Sequence, residues 1–153
     1  MPKERPSALT KAMNLLAVRS LSEAELLDKL LRAGYSKEES ENAAVECIKR
    51  HYVDDEQLTI DCVDILHQRN LGAGQIRLKL SRRGFDAEKI SEQLAESPEE
   101  ELEAAKRAMA GKLRLLTREN DPRKKREKLF RFMAGRGFAP SLIFKLIGEE
   151  EEL

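Results

Sequence analysis

The amino-acid sequence predicts an all-α protein made of three tandem three-helix repeats that form an elongated, curved array. The main observation is a helix-ending pattern that occurs three times: an apolar residue, a Gly four positions later, and an aromatic residue directly after the Gly. The glycines of this pattern, Gly34, Gly84 and Gly137, are separated by 84 − 34 = 50 and 137 − 84 = 53 residues. A regular period of this length is typical of repeat proteins.

Composition and local patterning support the same fold class. Charged residues make up 37% of the chain, aromatic residues 5%, and Trp is absent, which favours helices rich in Ala, Leu, Glu and Lys. No stretch shows the period-two alternation of a half-buried strand. A Gly with positive φ ends a helix, and the apolar residue after it packs back on the last turn. A compact nine-helix globule with one mixed core is the alternative architecture.

The first repeat, with a short N-terminal extension, is expected at residues 1–50. Ser22 and Glu25 match a capping box at the start of its second helix, and Ser36 and Glu39 match another at the start of its third. Apolar residues with helical spacing are expected to face the core. They are Leu9, Ala12, Met13, Leu16, Leu26, Leu27, Leu30, Leu31, Ala43, Ala44, Cys47 and Ile48.

The second repeat is expected at residues 51–96. Asp54 and Asp86 are suited to cap its first and third helices. The segment Gly72-Ala73-Gly74 predicts a turn, and its spacing does not match a phosphate-binding loop. The residues expected to face the core are Leu58, Cys62, Ile65, Leu66, Ile76, Leu80, Ala87, Ile90 and Leu94.

The third repeat is expected at residues 97–148 and is followed by an acidic tail, 149–153, that is expected to be disordered. Ser97-Pro98 with Glu100, and Asp121-Pro122, are cap-then-proline signals for its first two helices. The residues expected to face the core are Leu102, Ala105, Met109, Leu113, Leu116, Leu129, Phe130, Phe132, Met133, Leu142, Ile143, Leu146 and Ile147.

Charge is balanced overall but segregated along the chain. There are 28 basic and 28 acidic residues, so the formal net charge is zero. Basic residues gather on the fifth and eighth helices, and this segregation points to a polyanionic or strongly patterned protein partner. Solvated helix faces are the alternative interpretation, because basic last turns also suit the helix dipole. The candidate partner-binding or nucleic-acid-binding residues are Arg77, Lys79, Arg82, Arg83, Lys124, Lys125, Lys128, Arg131 and Arg136.

The sequence contains no recognisable catalytic or metal-binding motif. Cys47 and Cys62 are expected to be small core residues in a reducing compartment, and His51 and His67 are isolated. No catalytic residue, metal site or cofactor is therefore predicted, and the protein is not expected to be an enzyme.

No apolar run is long enough to span a membrane, and the first residues lack the apolar core of a signal peptide. A cytoplasmic monomer is expected.

Four short segments carry a resemblance to a known family. They are Ser22-x-x-Glu25-Leu26-x-x-Lys29-Leu30, Asp54-Asp55 after Tyr52-Val53, Ile76-Arg77 with Leu80 and Gly84-Phe85, and Arg136-Gly137-Phe138. In this order and spacing they are similar to the RecX family of bacterial regulatory proteins, over roughly residues 8–148. The resemblance implies three tandem three-helix repeats and no cofactor. It also implies binding in the groove of the RecA filament, with inhibition of strand exchange and of ATP hydrolysis.

Two departures from the family pattern affect these expectations. The family often has Lys or Arg before each repeat glycine; Arg83 and Arg136 keep this feature, whereas Ala33 does not, so the first repeat is expected to contribute less charge. The turn at 72–74 lacks the Pro often found after its second glycine.

Single- and double-stranded DNA are expected to be bound weakly or as part of the filament. A stand-alone nucleic-acid-binding module and a helical scaffold for an unrelated partner are the competing functions.

Overall fold

The computed structural model describes residues 4–151, and every regular element in that range is an α-helix. The predicted all-α class is therefore confirmed. The helices are α1 (Ala8–Val18), α2 (Glu23–Arg32), α3 (Lys37–Lys49), α4 (Asp55–Gln68), α5 (Ala73–Arg82), α6 (Ala87–Ala95), α7 (Pro98–Leu115), α8 (Pro122–Gly135) and α9 (Pro140–Glu151).

The helix starts follow the predicted caps with two exceptions, at Ser36 and Ser97. Ser36 accepts the Glu39 N–H at 3.0 Å, which is only half of the predicted capping box. Ser22 and Glu25 form the full capping box, in which each side chain accepts a hydrogen bond from the other residue's backbone N–H. Asp54, Asp86 and Asp121 each accept a backbone N–H bond in the first turn of their helix. Ser97 was expected to cap α7, but its hydroxyl donates to the Gln93 carbonyl at 2.7 Å instead. It thereby stabilises the end of α6, and Pro98 alone marks the start of α7.

The three repeated glycines end their helices in the predicted way. Gly34, Gly84 and Gly137 have φ values of 94°, 82° and 98°, the left-handed region that favours glycine. The following aromatic residues donate backbone N–H bonds to Leu30, Leu80 and Met133 at 3.2, 3.0 and 3.3 Å. This bond, together with one from each glycine N–H, defines the Schellman motif. Tyr35, Phe85 and Phe138 are all buried, so each motif also closes a core.

Buried apolar side chains form three separate clusters, one for each group of three helices. The first includes Leu26 and Leu30, the second Ile76 and Ile90, and the third Ile143 with other residues of α7 to α9. The described residues therefore form three cores and not the single mixed core of the alternative architecture. Val53 packs in the first cluster although it precedes α4, and its backbone N–H donates to the carbonyl of Cys47, a residue of that cluster, at 3.3 Å. We retain residues 1–50, 51–96 and 97–148 as proposed repeat boundaries.

Some residues expected in the core are exposed. Met13, Leu31, Ile48 and Ile65 are 39%, 47%, 38% and 45% exposed. They lie at the edge of an apolar stripe that is wider than the face covered by two neighbouring helices. On α4, the buried face also includes polar side chains that periodicity did not select, namely Thr59 and His67.

The predicted disordered tail begins too early. Helix α9 continues through Glu149 and Glu150 to Glu151, so the disorder expected from residue 149 is wrong for those three residues. One ion pair accounts for part of this, since Glu151 Oε1 lies 3.0 Å from Arg126 Nη1 on α8. The last two residues of the expected tail, 152 and 153, lie outside the described range.

Candidate interaction surface

Helix α5 presents three cations that the fold does not use. Arg77, Lys79 and Arg82 are exposed, and among the described residues none of them forms an ion pair. Ile76 and Leu80 are completely buried. At helical spacing this places Arg77 and Lys79 on the two flanks of α5 and Arg82 on its outer side.

Arg83, the fourth predicted residue on this segment, instead joins the second repeat to the first. Its Nε and Nη2 donate to the two carboxylate oxygens of Glu25 on α2 at 3.0 and 3.1 Å. Its Nη1 lies 3.4 Å from the sulfur of Cys62, and its guanidinium stacks 4.8 Å from the ring centre of Phe85. The side chain is only 31% exposed, so Arg83 is a clamp between repeats.

The electrostatics of this clamp follow from its geometry. Burial raises the pKa of Glu25, but the hydrogen bond from Arg83 and the cap bond from Ser22 outweigh it, so the pKa is lowered overall. The hydrogen bonds that Arg83 donates to Glu25 raise the pKa of Arg83. Both partners are therefore held in their charged forms, as expected for a bidentate arginine–carboxylate pair.

Helix α8 carries the second predicted group of cations, and they are not equivalent. Lys128 Nζ lies 2.6 Å from Glu119 Oε2, and its hydrogen bond lowers the pKa of Glu119. Lys124 and Arg131 are exposed and form no ion pair with a described residue, while Lys125 is half-buried. Lys124 and Arg131 are therefore the clearest candidates for partner contacts on this helix.

Arg136 has the same role between the second and third repeats that Arg83 has between the first and second. Its Nη2 and Nε donate to the backbone carbonyls of Arg69 and Asn70, at 2.5 and 3.2 Å. These carbonyls belong to the unsatisfied C-terminal end of α4, a favourable position for a cation. The arginine before each of the last two repeat glycines thus reaches back into the preceding repeat. The sequence predicted these two side chains as partner-binding residues because it does not show which cations face a neighbouring repeat.

The turn at 72–74 allows the backbones of the second and third repeats to touch. Gly72 N–H donates to the Arg136 carbonyl at 2.8 Å, and Gly74 N–H donates to the Gly137 carbonyl at 2.9 Å. A Cβ on Gly72 would lie 2.6 Å from the backbone of Gly137, and a Cβ on Gly137 would lie 2.4 Å from Gln75 N. Sequence analysis identified the turn but not this contact.

A buried histidine and a carboxylate form the other part of this interface. His67 Nε2 lies 2.7 Å from Glu101 Oε2, and Glu101 Oε1 accepts the backbone N–H of Ala73 at 2.9 Å. The first interface contains a similar bond, in which Asp55 accepts the backbone N–H of Glu23 at 2.9 Å. In both cases an acidic side chain of one repeat caps the second helix of the repeat before it.

A cationic groove of about 740 Å³ lies between the first and second repeats. Arg82 of α5, Lys29 of α2 and Lys11 of α1 line it, and none of the three forms an ion pair with a described residue. The first repeat was expected to contribute less charge than the others. In this groove the first repeat supplies Lys11 from α1 and Lys29 from α2, although Ala33 before its helix-ending glycine carries no charge.

Other classes of site are not evident in the described part of the chain. Residues 4–151 contain no group of three or more His, Cys, Asp or Glu side chains able to hold a metal ion. Cys47 and Cys62 are buried free thiols, as predicted. Within the same residues, no helix combines the length and apolar character that crossing a membrane requires.

Comparison with known proteins identifies the family of this chain. Two family models match it, the first three-helix domain of RecX at residues 8–47 and the third three-helix domain of RecX at residues 99–147. The regulatory protein RecX of Deinococcus radiodurans is 32% identical over 99% of this chain and 72% of the relative. The regulatory protein RecX of Haemophilus influenzae is 28% identical over 94% of this chain and 95% of the relative.

The fold is shared with solved structures. The crystal structure of RecX from Lactobacillus salivarius superposes with a TM-score of 0.86, at 19% identity, covering 95% of this chain and 96% of that one. A second crystal structure of a regulatory protein RecX superposes with a TM-score of 0.80, at 22% identity, over 93% of this chain and 70% of that one. With 32% identity over 99% of its length to one RecX protein, this chain belongs to the RecX family of regulatory proteins.

Proposed function

We propose that this protein binds the RecA–DNA filament and modulates, mainly by inhibition, the recombinase and ATPase activities of RecA in DNA repair and recombination. Membership of a family of regulatory proteins supports a regulatory role. The name of that family and the resemblance identified in the sequence point to RecA as the partner.

The observation that carries this proposal is the separation of the predicted cations into two groups. Arg83 and Arg136 are used between repeats, whereas Arg77, Lys79 and Arg82 are exposed on α5 without ion pairs. Cations without an ion pair inside the protein attract an anionic surface. They can bind it without breaking a contact that stabilises the fold. We expect them to contact acidic RecA side chains, DNA phosphates of the filament, or both.

The proposed mechanism needs no chemistry by the protein itself. A monomer made of three successive helical units would lie along the filament groove or cap its end, and its basic faces would hold it there. Either mode hinders movements of neighbouring RecA subunits, on which hydrolysis and strand exchange depend. We propose a cytoplasmic location, no cofactor, and contact with DNA through the filament.

The test is RecA-catalysed ATP hydrolysis on single-stranded DNA with substoichiometric protein added. We expect the wild-type protein to lower the rate, and the triple variant Arg77→Ala, Lys79→Ala, Arg82→Ala to require a higher concentration for the same effect. Arg83 is left intact because its loss would disturb the fold. The control replaces two exposed lysines of α3, Lys37→Ala and Lys49→Ala, and should behave as wild type. An unchanged rate with wild-type protein would refute the proposal.

The cationic groove favours a second candidate function, direct binding of nucleic acid without RecA. Lys11, Lys29 and Arg82 lie on three helices around one groove, an arrangement suited to a phosphate backbone. This function predicts tight binding to an oligonucleotide alone, with an affinity that falls steeply as salt increases. Weak binding to single- and double-stranded DNA at low salt, combined with an effect on RecA, would favour the first function.

A further inference from the structure

The third repeat carries an apolar groove on its surface. It has a volume of about 600 Å³, lies between α8 and α9, and is lined mainly by Phe130, Phe144, Ala134 and Ile147. The rings of Phe130 and Phe144 stack with their centres 5.0 Å apart and an angle of 29° between their planes. Phe144 is nonetheless 64% exposed, so much of its ring faces solvent.

The position of Phe144 is not required for packing of the third core. Its neighbours Ile143, Leu146 and Ile147 are buried and already hold α9 against the other two helices. A large apolar side chain beside an open apolar groove is a feature of interaction sites, because isolated domains gain nothing from exposing it. Aromatic residues of this kind often become the anchors of interfaces.

The charges around the groove indicate the chemistry of its occupant. Arg126, which lines the groove, is paired with Glu151 at 3.0 Å, and Glu127 on the rim is paired with Arg123 at 3.4 Å. Arg131, on the same rim, is exposed and forms no ion pair with a described residue. The acids at the groove are therefore neutralised by bonds within the protein, whereas the Arg131 guanidinium remains available to a carboxylate.

We propose that this groove binds an acidic amphipathic segment of a protein partner, with an apolar side chain against Phe144 and a carboxylate on Arg131. A nucleic-acid strand can stack a base on Phe144, but it carries a phosphate at every nucleotide, whereas this groove presents one cation without an ion pair to a described residue, Arg131, beside a floor of Phe130, Ala134 and Ile147. A helical peptide with an apolar face and an acidic face satisfies both requirements. This inference deepens the proposed function by naming the chemistry of the partner surface, and it rests on that function.

The test uses a fluorescent synthetic peptide with Leu and Phe on one helical face and Glu on the other. A twin peptide has Lys in place of Glu, and labelled oligothymidylate serves as the nucleic-acid probe. By fluorescence anisotropy, we expect the full chain to bind the Glu peptide more tightly than its twin. Phe144→Ala should weaken binding by about tenfold or more, as truncation of an anchor residue does. Arg131→Ala should weaken binding of the Glu peptide but not binding of the Lys peptide.

The matched control is Leu115→Ala on α7, which removes another exposed apolar side chain of the same repeat, 77% exposed in the wild type. It should bind as wild type, and circular dichroism should show that both variants keep their helices. Failure to bind the Glu peptide, or equal binding by Phe144→Ala, would overturn the inference. Binding of oligothymidylate that depends on Phe144, in place of peptide binding, would overturn it in favour of base stacking.

A parallel RecA ATPase assay separates this inference from the proposed function. If wild-type protein inhibits RecA and Phe144→Ala inhibits it equally well, the groove inference fails while the proposed function stands. If wild-type protein has no effect on RecA but binds the Glu peptide through Phe144, the proposed function fails while the chemistry of the groove stands. Weaker inhibition by Phe144→Ala, with normal inhibition by Leu115→Ala, supports both.

Discussion

Replacement of Gly137 by Ala tests whether the close approach of the second and third repeats contributes to stability. Gly137 and Gly34 end equivalent helices with nearly the same backbone conformation, at φ 98° and 94°. A Cβ on Gly34 would meet only the flexible end of Arg5, at 3.2 Å. A Cβ on Gly137 would meet backbone atoms, with Gln75 N at 2.4 Å and Gly72 O at 2.9 Å. Gly34→Ala is therefore a matched control.

The expected difference between the two variants follows from these distances. Ala in the left-handed region costs about 1–2 kcal/mol, and this is the whole effect expected for Gly34→Ala. Gly137→Ala adds an overpacking cost of about 1–3 kcal/mol, because neither backbone segment can move without breaking the hydrogen bonds between the repeats. The total loss for Gly137→Ala is then about 2–5 kcal/mol.

The measurement is urea unfolding followed by circular dichroism at neutral pH. With an m-value of about 2 kcal/mol/M, the unfolding midpoint of Gly137→Ala should lie roughly 0.5–1.5 M below that of Gly34→Ala. Gly137→Ala should also broaden the transition, because a weakened interface lets the third repeat unfold separately. Identical midpoints and slopes for the two variants would refute the reasoning that the backbone contact matters.

Three further predictions concern the polar contacts between repeats, all measured by the same urea unfolding. Arg83→Ala should lower the free energy of unfolding by about 2 kcal/mol, because it removes two charge-assisted hydrogen bonds from a largely buried carboxylate, which keeps only the Ser22 N–H and the longer contact with Arg19 at 3.5 Å. Arg82→Ala should change it by less than about 0.5 kcal/mol, and a loss as large as that of Arg83→Ala would contradict the assignment of clamp and surface roles. The pKa of Glu25 is lowered in the folded protein. Ionised Glu25 therefore contributes fully to the free energy of unfolding above the ordinary carboxyl pKa, and this contribution is lost as the pH falls through the pKa of the folded protein. Glu25→Gln should be less stable at neutral pH and lack that part of the acid dependence; identical pH profiles would contradict the pairing. Glu101→Ala should cost about 1–3 kcal/mol, because a helix N–H and a buried imidazole lose their acceptor, whereas Glu103→Ala, on the exposed face of α7, should be neutral.

Much of this fold was predictable because its determinants are local. A capping box such as that of Ser22 and Glu25 depends on residues three positions apart, and a Schellman motif such as that at Gly84 depends on one turn of helix. These interactions form in the same way wherever the helix lies, so helix starts, helix ends and the threefold repeat can be predicted from the sequence. The two failures have different origins: at Ser97 one local bond, to the Gln93 carbonyl four residues earlier, replaced another, whereas at the acidic tail a bond from Arg126 on a different helix stabilises the end of α9.

The placement of the candidate binding cations was predictable only in part. The sequence by itself determined that cations are concentrated on α5 and α8, because composition is independent of conformation. Only the tertiary structure decided that Arg83 and Arg136 are clamps, that Arg82 shares a groove with Lys29, and that Phe144 remains exposed. These outcomes depend on how one repeat is placed against the next, or one helix against another, and side chains far apart in sequence meet only after that placement. Adjacent cations in the sequence can therefore have opposite roles, one facing the neighbouring repeat and the other facing solvent.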